Sequence, residues 1–153
     1  LADVLKTVIA VLAGAALFRW AGNDPIIGKL LGGLLCMVGH MFPFQFEFKG
    51  GKGVATSLGT SLVLNPLLGL ILLAVSAVGI AITHVVSIFS IVSLVAFGLI
   101  NPFLCKGDVA EIIYSIVLAL LVVWAHRTNI KRLLSGTENK LDFSRKTTKR
   151  NLK

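Results

Sequence analysis

Apolar residues fill this chain in six long blocks, divided by short polar breaks. The blocks run Leu1–Trp20, Ile27–Phe44, Val54–Leu64, Pro66–Thr83, Val86–Ile100 and Asp108–Ala125, and each is predicted as a helix. The breaks carry the residues that stop helices. "AGNDP" at 21–25 and "NP" at 65–66 and 101–102 pair turn formers with proline, which ends a helix at the residue before it. "KGD" at 106–108 supplies charge, a glycine and an aspartate able to cap the last helix. From Val54 to Ile100, 47 residues contain no Asp, Glu, Lys or Arg. As one helix that run would be ~70 Å long, against a hydrocarbon core of ~30 Å. The chain therefore crosses a bilayer more than once. Val54–Leu64 is short for a span, and is expected to be a half-helix or to have the preceding loop dip into the membrane.

Composition supports this pattern. Of 153 residues, 56% are hydrophobic and 14% charged, with a mean hydropathy of +0.88. A soluble domain is nearer a quarter charged. The expected fold is all-α, a polytopic membrane helix bundle with about six transmembrane helices. A cleavable signal peptide does not account for the hydropathy, because apolar segments recur to residue 124. The chain begins at Leu1 inside an apolar block, which suggests that sequence precedes it. Cys36 and Cys105 match no metal spacing and make no disulfide framework, so no metal or cofactor is expected.

Charge adds an orientation. From His126 to Lys153 there are nine Lys/Arg and two acids, a net +7 of the chain's +8. A basic end after the last apolar block is expected on the cytoplasmic face. The chain thus divides into a bundle, 1–125, and a basic cytoplasmic segment, 126–153. Anionic lipid is a natural neighbour for that segment. Nucleic acid is not, since Phe143 is its only aromatic residue for stacking on bases. Walking back from a cytoplasmic carboxyl end places the glycine-rich stretch near residue 50, the Thr83–His84 corner and His126 on that same face. One site built from these three polar places is expected.

The stretch "FEFKGGKGVATSLG" (46–59) is the candidate core of that site. Glycines allow positive φ and bring successive N–H groups toward one point. A helix starting near Val54 adds a partial positive charge, and Lys52 a full one. Phosphate is the natural occupant; a plain interhelical loop is the bland alternative. A nucleotide-binding P-loop fails on spacing, because Phe46 and Gly53 stand where it needs glycine and Ser/Thr.

These residues also carry a family resemblance. "GHMFPFQFEFKGGKGVATSLG" (39–59), "ITHVVSIFS" (82–90) and "HRTNIKRLLSGTE" (126–138) resemble, in order, signatures of the bacterial acyl-phosphate:glycerol-3-phosphate acyltransferases. Asp3 and Lys6 fall on that family's Asp-x-x-Lys pair. The resemblance implies a seven-helix membrane bundle, in a bacterial inner membrane, with its signatures facing the cytoplasm. Six helices with Leu1 inside fit that bundle minus its first span. The implied reaction moves a fatty acyl group from acyl phosphate to the 1-hydroxyl of sn-glycerol 3-phosphate, giving lysophosphatidic acid and phosphate without a cofactor.

On this reading Gly50, Gly51, Lys52 and Gly53 would bind phosphate, with Thr56 in the following turn and His40 just before the loop. Arg127 could hold another phosphate face. Asn129 lies three residues after His126 and Ser90 three after Ser87, so each pair shares one helix side. His126, Ser87 and Ser90 are the candidate catalytic residues. Asn129 and Glu138 join the substrate-binding set, although Glu138 and Arg132 could instead pair and fix the tail. An acyl phosphate is already activated, so the protein's work is positioning and electrostatics. Either His126 or a substrate phosphate oxygen could take the hydroxyl proton. A His-x-x-x-x-Asp acyltransferase is excluded, because Gln45, Phe89 and Lys131 stand five after the three histidines.

The chain departs from the family in several places. Its first signature, a Ser-Gly-Asn…Gly-Ala-Thr-Asn loop, should precede Asp3, so the sequence from Leu1 is expected to have little activity alone. His84 stands where arginine is usual, Ala125 where arginine commonly precedes His-Arg, and Thr7 where glycine is common. Two other functional classes remain: a non-catalytic or truncated membrane subunit, and an anion transporter. The absence of an internal repeat speaks against transport.

Overall fold

The computed structural model describes residues 1–141, so the basic tail beyond Leu141, with Phe143, lies outside the described residues. Among the described residues are seven α-helices and no strand: α1 (Ala2–Trp20), α2 (Pro25–Met41), α3 (Val54–Leu64), α4 (Pro66–Thr83), α5 (Val86–Leu104), α6 (Val109–Ala125) and α7 (Arg127–Leu134). A single 3₁₀ turn, Phe44–Phe46, lies in the loop between α2 and α3.

Helix starts follow the polar breaks. Asp24 accepts a hydrogen bond from the Ile26 N–H at 2.8 Å, with Pro25 in the first turn of α2. Asn65 caps α4 in the same way, again with proline following, and Asp108 accepts from the Glu111 N–H at 2.8 Å. In α5 the structure differs from expectation. The helix does not stop at Ile100 but runs through Pro102 to Leu104. The proline forfeits one backbone bond, while Asn101 before it is fully buried and bound on three sides. Its amide donates to Glu111 Oε1 at 2.9 Å and Ser115 Oγ at 3.0 Å, and its carbonyl oxygen accepts from Asn65 Nδ2 at 3.3 Å. That cluster ties α5 to α6 and to the α3–α4 turn.

The α1–α2 pair is held by small residues. A Cβ added at Gly28 would lie 2.2 Å from the Gly14 carbonyl oxygen, and one at Gly32 2.4 Å from that of Ala10. Such backbone-to-backbone approach is how helices associate where lipid leaves no hydrophobic gain between them. Leu30, Met37, Leu94, Leu118 and Val122 form the core where α2, α5 and α6 meet. Many other large apolar side chains face outward: Leu67 is 71% exposed, Ile82 74% and Phe103 87%. An outer surface this apolar suits hydrocarbon.

By length and composition three stretches can cross a membrane, Pro25–Phe46, Pro66–Thr83 and Val86–Leu104. Joined across a 59° bend, α6 and α7 would make a fourth. The six predicted blocks each fall on a helix, but two miss these criteria. Helix α1 carries Asp3, Lys6 and Arg19, and α3, at 11 residues, spans only ~16 Å. The α2–α3 loop, the His84 corner, the amino end of α1 and residues 126–141 lie together at one end of the bundle.

Candidate active site

The glycine loop is fixed by packing onto the end of α2. The N–H groups of Gly50 and Gly51 donate to the carbonyls of Met41 and His40, each at 3.1 Å. A Cβ at Gly50 would fall 2.2 Å from the His40 oxygen. These two glycines therefore finish α2, and their N–H groups are turned toward it. Gly53, at φ +77°, is the N-cap of α3, with Met37 behind it. The cationic end of the loop is thus Lys52 and the first turn of α3.

Lys52 Nζ donates to Asn129 Oδ1 at 2.5 Å. Asn129 Nδ2 donates in turn to Glu138 Oε1 at 2.6 Å. With an ammonium on one side and a carboxylate on the other, only this amide orientation satisfies both neighbours. Glu138 also accepts from Ser87 Oγ and from Arg132 Nε, each at 2.8 Å. Its side chain is only 8% exposed. Arg132 first, then Asn129 and Ser87, hold the carboxylate well below its ordinary range, down to about 2, against a smaller opposing effect of burial. Arg132 and Glu138 do pair, and the pair is built into the cluster. The Leu141 N–H donates to the His84 carbonyl at 2.7 Å, so the segment after α7 closes over the amino end of α5.

His126 sits at the α6–α7 bend, past the apolar stretch of α6, and is 2% exposed. Its Nδ1 lies 2.8 Å from the Val122 carbonyl, which requires a proton there and leaves Nε2 as an acceptor. Burial, aided by the charge on Lys52, lowers its pKa below the ordinary value; the Val122 bond and Glu138 oppose this less strongly. The lowered pKa favours the neutral imidazole. Lys52, Ser87, Ser90, His126, Asn129 and Glu138 all line one pocket of about 380 Å³.

Other expected site residues stand elsewhere. Arg127 points away from His126, with its guanidinium 4.5 Å over the Trp124 ring and Nη1 on the Trp124 carbonyl. It lines a second pocket, of about 260 Å³, with Lys49, Gly50, Gly51 and Lys52. His40 lies on the opposite flank of the loop, where Nδ1 is 3.1 Å from Lys6 Nζ, and Lys6 is 2.6 Å from Asp3. Thr56 is fully buried, its hydroxyl donating to the Gly53 carbonyl. Of the expected set, then, the six residues of the first pocket converge. Arg127 and His40 flank them, and Thr56 faces the core.

Beside the first pocket lies an apolar cavity of about 200 Å³ between α3, α4 and α5. Val54, Val86 and Ser90 line both, so the polar pocket and the apolar cavity meet at these side chains. The cavity is apolar despite the serines on its wall. Ser61 donates to the Ser57 carbonyl, Ser76 to that of Leu72, and Ser93 pairs with Ser76 across the helices. No single sequence motif marks this cavity, because its wall is drawn from three separate apolar blocks.

The model of the family described as glycerol-3-phosphate acyltransferase matches residues 1–136. A glycerol-3-phosphate acyltransferase of Thermoanaerobacter sp. (strain X514) is 45% identical over 139 residues, 91% of this chain and 67% of the relative. That of Clostridioides difficile (strain 630) is 42% identical, covering 92% and 68%. The chain thus spans about two thirds of these relatives' length. Among solved structures, it is similar to crystal structures of PlsY, an integral membrane glycerol 3-phosphate acyltransferase. The glycerol 3-phosphate form matches with a TM-score of 0.78 and 33% identity over 92% of this chain and 68% of that one. The lysophosphatidic acid form gives the same score and identity, over 69% of its chain.

Proposed function

The chain belongs to the glycerol-3-phosphate acyltransferase family, and from that premise we propose how its residues carry out the reaction. It is a multi-pass membrane enzyme that acylates glycerol 3-phosphate. The donor is an acyl phosphate, the acceptor oxygen is the 1-hydroxyl, and the products are lysophosphatidic acid and inorganic phosphate. What supports this reading most is the joint between a cationic, hydrogen-bonding pocket and an apolar cavity, with a buried neutral histidine at the same mouth. A phosphorylated polar substrate and a long acyl chain require opposite surroundings, and this joint offers both within one site.

Glycerol 3-phosphate occupies the polar pocket. Its phosphate draws on Lys52 and Arg132, and its hydroxyls on Asn129 and Ser87. Lys52 lines both this pocket and the Arg127 pocket, so one ammonium can serve the phosphates of both substrates. The acyl chain lies between α3, α4 and α5, with its carbonyl at the Val86 edge of the mouth. His126 Nε2 takes the proton of the 1-hydroxyl as the oxygen attacks the carbonyl carbon. The carbon–oxygen bond to phosphate then breaks, the ester forms, and the departing phosphate takes the proton. Lys52 offsets the charge that develops on the leaving phosphate, the kind of interaction worth most in a site shielded from water.

The enzyme lies in a bacterial inner membrane with this end in the cytoplasm. Lys6, Lys49, Lys52, Arg127, Lys131, Arg132 and Lys140 gather here, against Arg19, Lys29 and Lys106 toward the opposite end. A cysteine introduced at Thr137 should react with a membrane-impermeant maleimide only after the cells are opened; reaction in intact cells would reverse the orientation. The reaction itself is tested by phosphate release from palmitoyl phosphate in liposomes. Release should require glycerol 3-phosphate and fall ~10²–10³-fold in Lys52→Ala. Release of the same rate without glycerol 3-phosphate would contradict the proposal.

A further inference from the structure

The apolar cavity has a mouth, a length and a floor. Its mouth is Val54 on α3 and Val86 and Ser90 on α5, where it joins the polar pocket. From there its wall follows α5 to Phe97, and the antiparallel α4 from Ile80 to Gly69. Eleven residue-to-residue steps along each helix correspond to ~16 Å. The far end is lined by Phe97 on α5 and Gly69 on α4. Phe97 is completely buried, and at Gly69 the backbone of α4 meets that of α3, where an added Cβ would be 3.1 Å from the Leu62 nitrogen. Walls that could splay are tied. Ser76 bonds Ser93 across α4 and α5, and the Phe89 ring occupies the notch at Gly79.

We propose that this cavity measures the acyl chain, and that Phe97 at its far end, with Leu72 facing it from α4, sets the preferred chain length. The proposal rests on the reading of the site as an acyl-phosphate-dependent acyltransferase. An extended chain advances ~1.2 Å per bond, as the polypeptide backbone itself does, so ~16 Å of cavity takes about thirteen bonds. With the carbonyl at the mouth, donors of roughly fourteen to sixteen carbons reach the floor. Shorter chains leave the end of the cavity unfilled. Longer ones must bend or force Phe97 aside, in a wall that is close-packed and does not yield cheaply.

The test is a chain-length profile. Glycerol-3-phosphate-dependent phosphate release is measured for saturated acyl phosphates of ten to twenty carbons, in liposomes of one composition. Each protein is normalised to its own rate with the ten-carbon donor. Two substitutions push in opposite directions. Phe97→Leu removes ring volume at the floor and should move the optimum to longer donors. Leu72→Phe adds volume opposite Phe97, four residues beyond the Ser76–Ser93 bond on each helix, and should move it to shorter ones. A methylene that loses its apolar site weakens the relative rate roughly 4-fold, so a two-carbon shift is readable as an order of magnitude at the flanks. If both variants keep the profile of the unaltered protein while still releasing phosphate, the chain leaves through the bilayer before reaching Phe97, and the measuring role is wrong. If neither they nor the unaltered protein release phosphate with glycerol 3-phosphate at any length, the underlying acyltransferase reading fails instead.

Discussion

Two polar clusters sit at opposite ends of this bundle, built from nearly the same side chains. At one end Asn129, Ser87 and Glu138 meet Lys52 and Arg132. At the other, Asn101, Ser115 and Glu111 meet Asn65. The difference is in what remains unspent. Asn101 is fully buried, its amide spent on Glu111 and Ser115 and its oxygen on Asn65, so the cluster is a latch between helices. Around Asn129 the hydrogen bonds border a pocket of about 380 Å³, and Arg132 is 40% exposed. Lys52 has further donors beyond the one given to Asn129. The same chemical groups make a fastening where they saturate one another and a binding site where cations are left in excess.

The largest effect that sharpens this contrast is at Lys52. Lys52→Ala should lower turnover ~10²–10³-fold with little change in thermal midpoint, measured as phosphate release and as unfolding in detergent. Parallel loss of folding would make Lys52 a fastening residue too. His126→Ala comes next, with a loss of ~10²-fold expected from removing a general base. Because its folded pKa is lowered below 6.5, activity should hold across neutral pH and decline only as acid charges the ring, below pH 6.5. A rate that rises with pH well above 7 would remove His126 from that role.

At the opposite end Asn101→Ala should behave in reverse. It takes the Asn101 donor from Glu111 and the Asn101 acceptor from Asn65, while Ser115 keeps its bond to the Glu111 carbonyl. The expected cost is ~1–3 kcal/mol in stability, with turnover per folded molecule retained. A selective loss of turnover would break the contrast. The smallest expected effect is in acid. Glu138 ionises at about 2 in the folded chain against an ordinary 4.5. Its contribution is complete above about pH 4.5 and is lost as pH falls from there toward 2. Glu138→Gln should therefore flatten acid unfolding in that window, followed by circular dichroism. An unchanged acid limb would show that the ion pair with Arg132 contributes nothing to stability.

Much of this architecture was legible in the chain. Charge-free runs and the Asn-Pro and Asp-Pro breaks mark the helices, and alternation across a bilayer gathers residues 50, 84 and 126 at one end. The helical spacing of His126 and Asn129 foreshadows their shared pocket. It also explains Arg127, which, one residue on, is turned about 100° around a helix and meets Trp124 instead. Less legible was the use of the glycine N–H groups. A Gly-Gly turn looks like an open cradle in sequence, and only packing reveals that Gly50 and Gly51 complete α2. Helix α5 passes Pro102 because of side chains on two other segments, α6 and the α3–α4 turn, which no local rule contains. The apolar cavity is the least legible feature, since no residue on its wall differs in type from those facing lipid or core.

The most direct test follows phosphorus through the reaction. Liposomes holding the protein, palmitoyl phosphate and glycerol 3-phosphate would be monitored by ³¹P NMR. The account expects acyl phosphate and glycerol 3-phosphate to disappear together, while lysophosphatidic acid and inorganic phosphate appear in equal amounts. Inorganic phosphate without lysophosphatidic acid would mean that the acyl group goes to water, and that this pocket does not place the glycerol hydroxyl for attack.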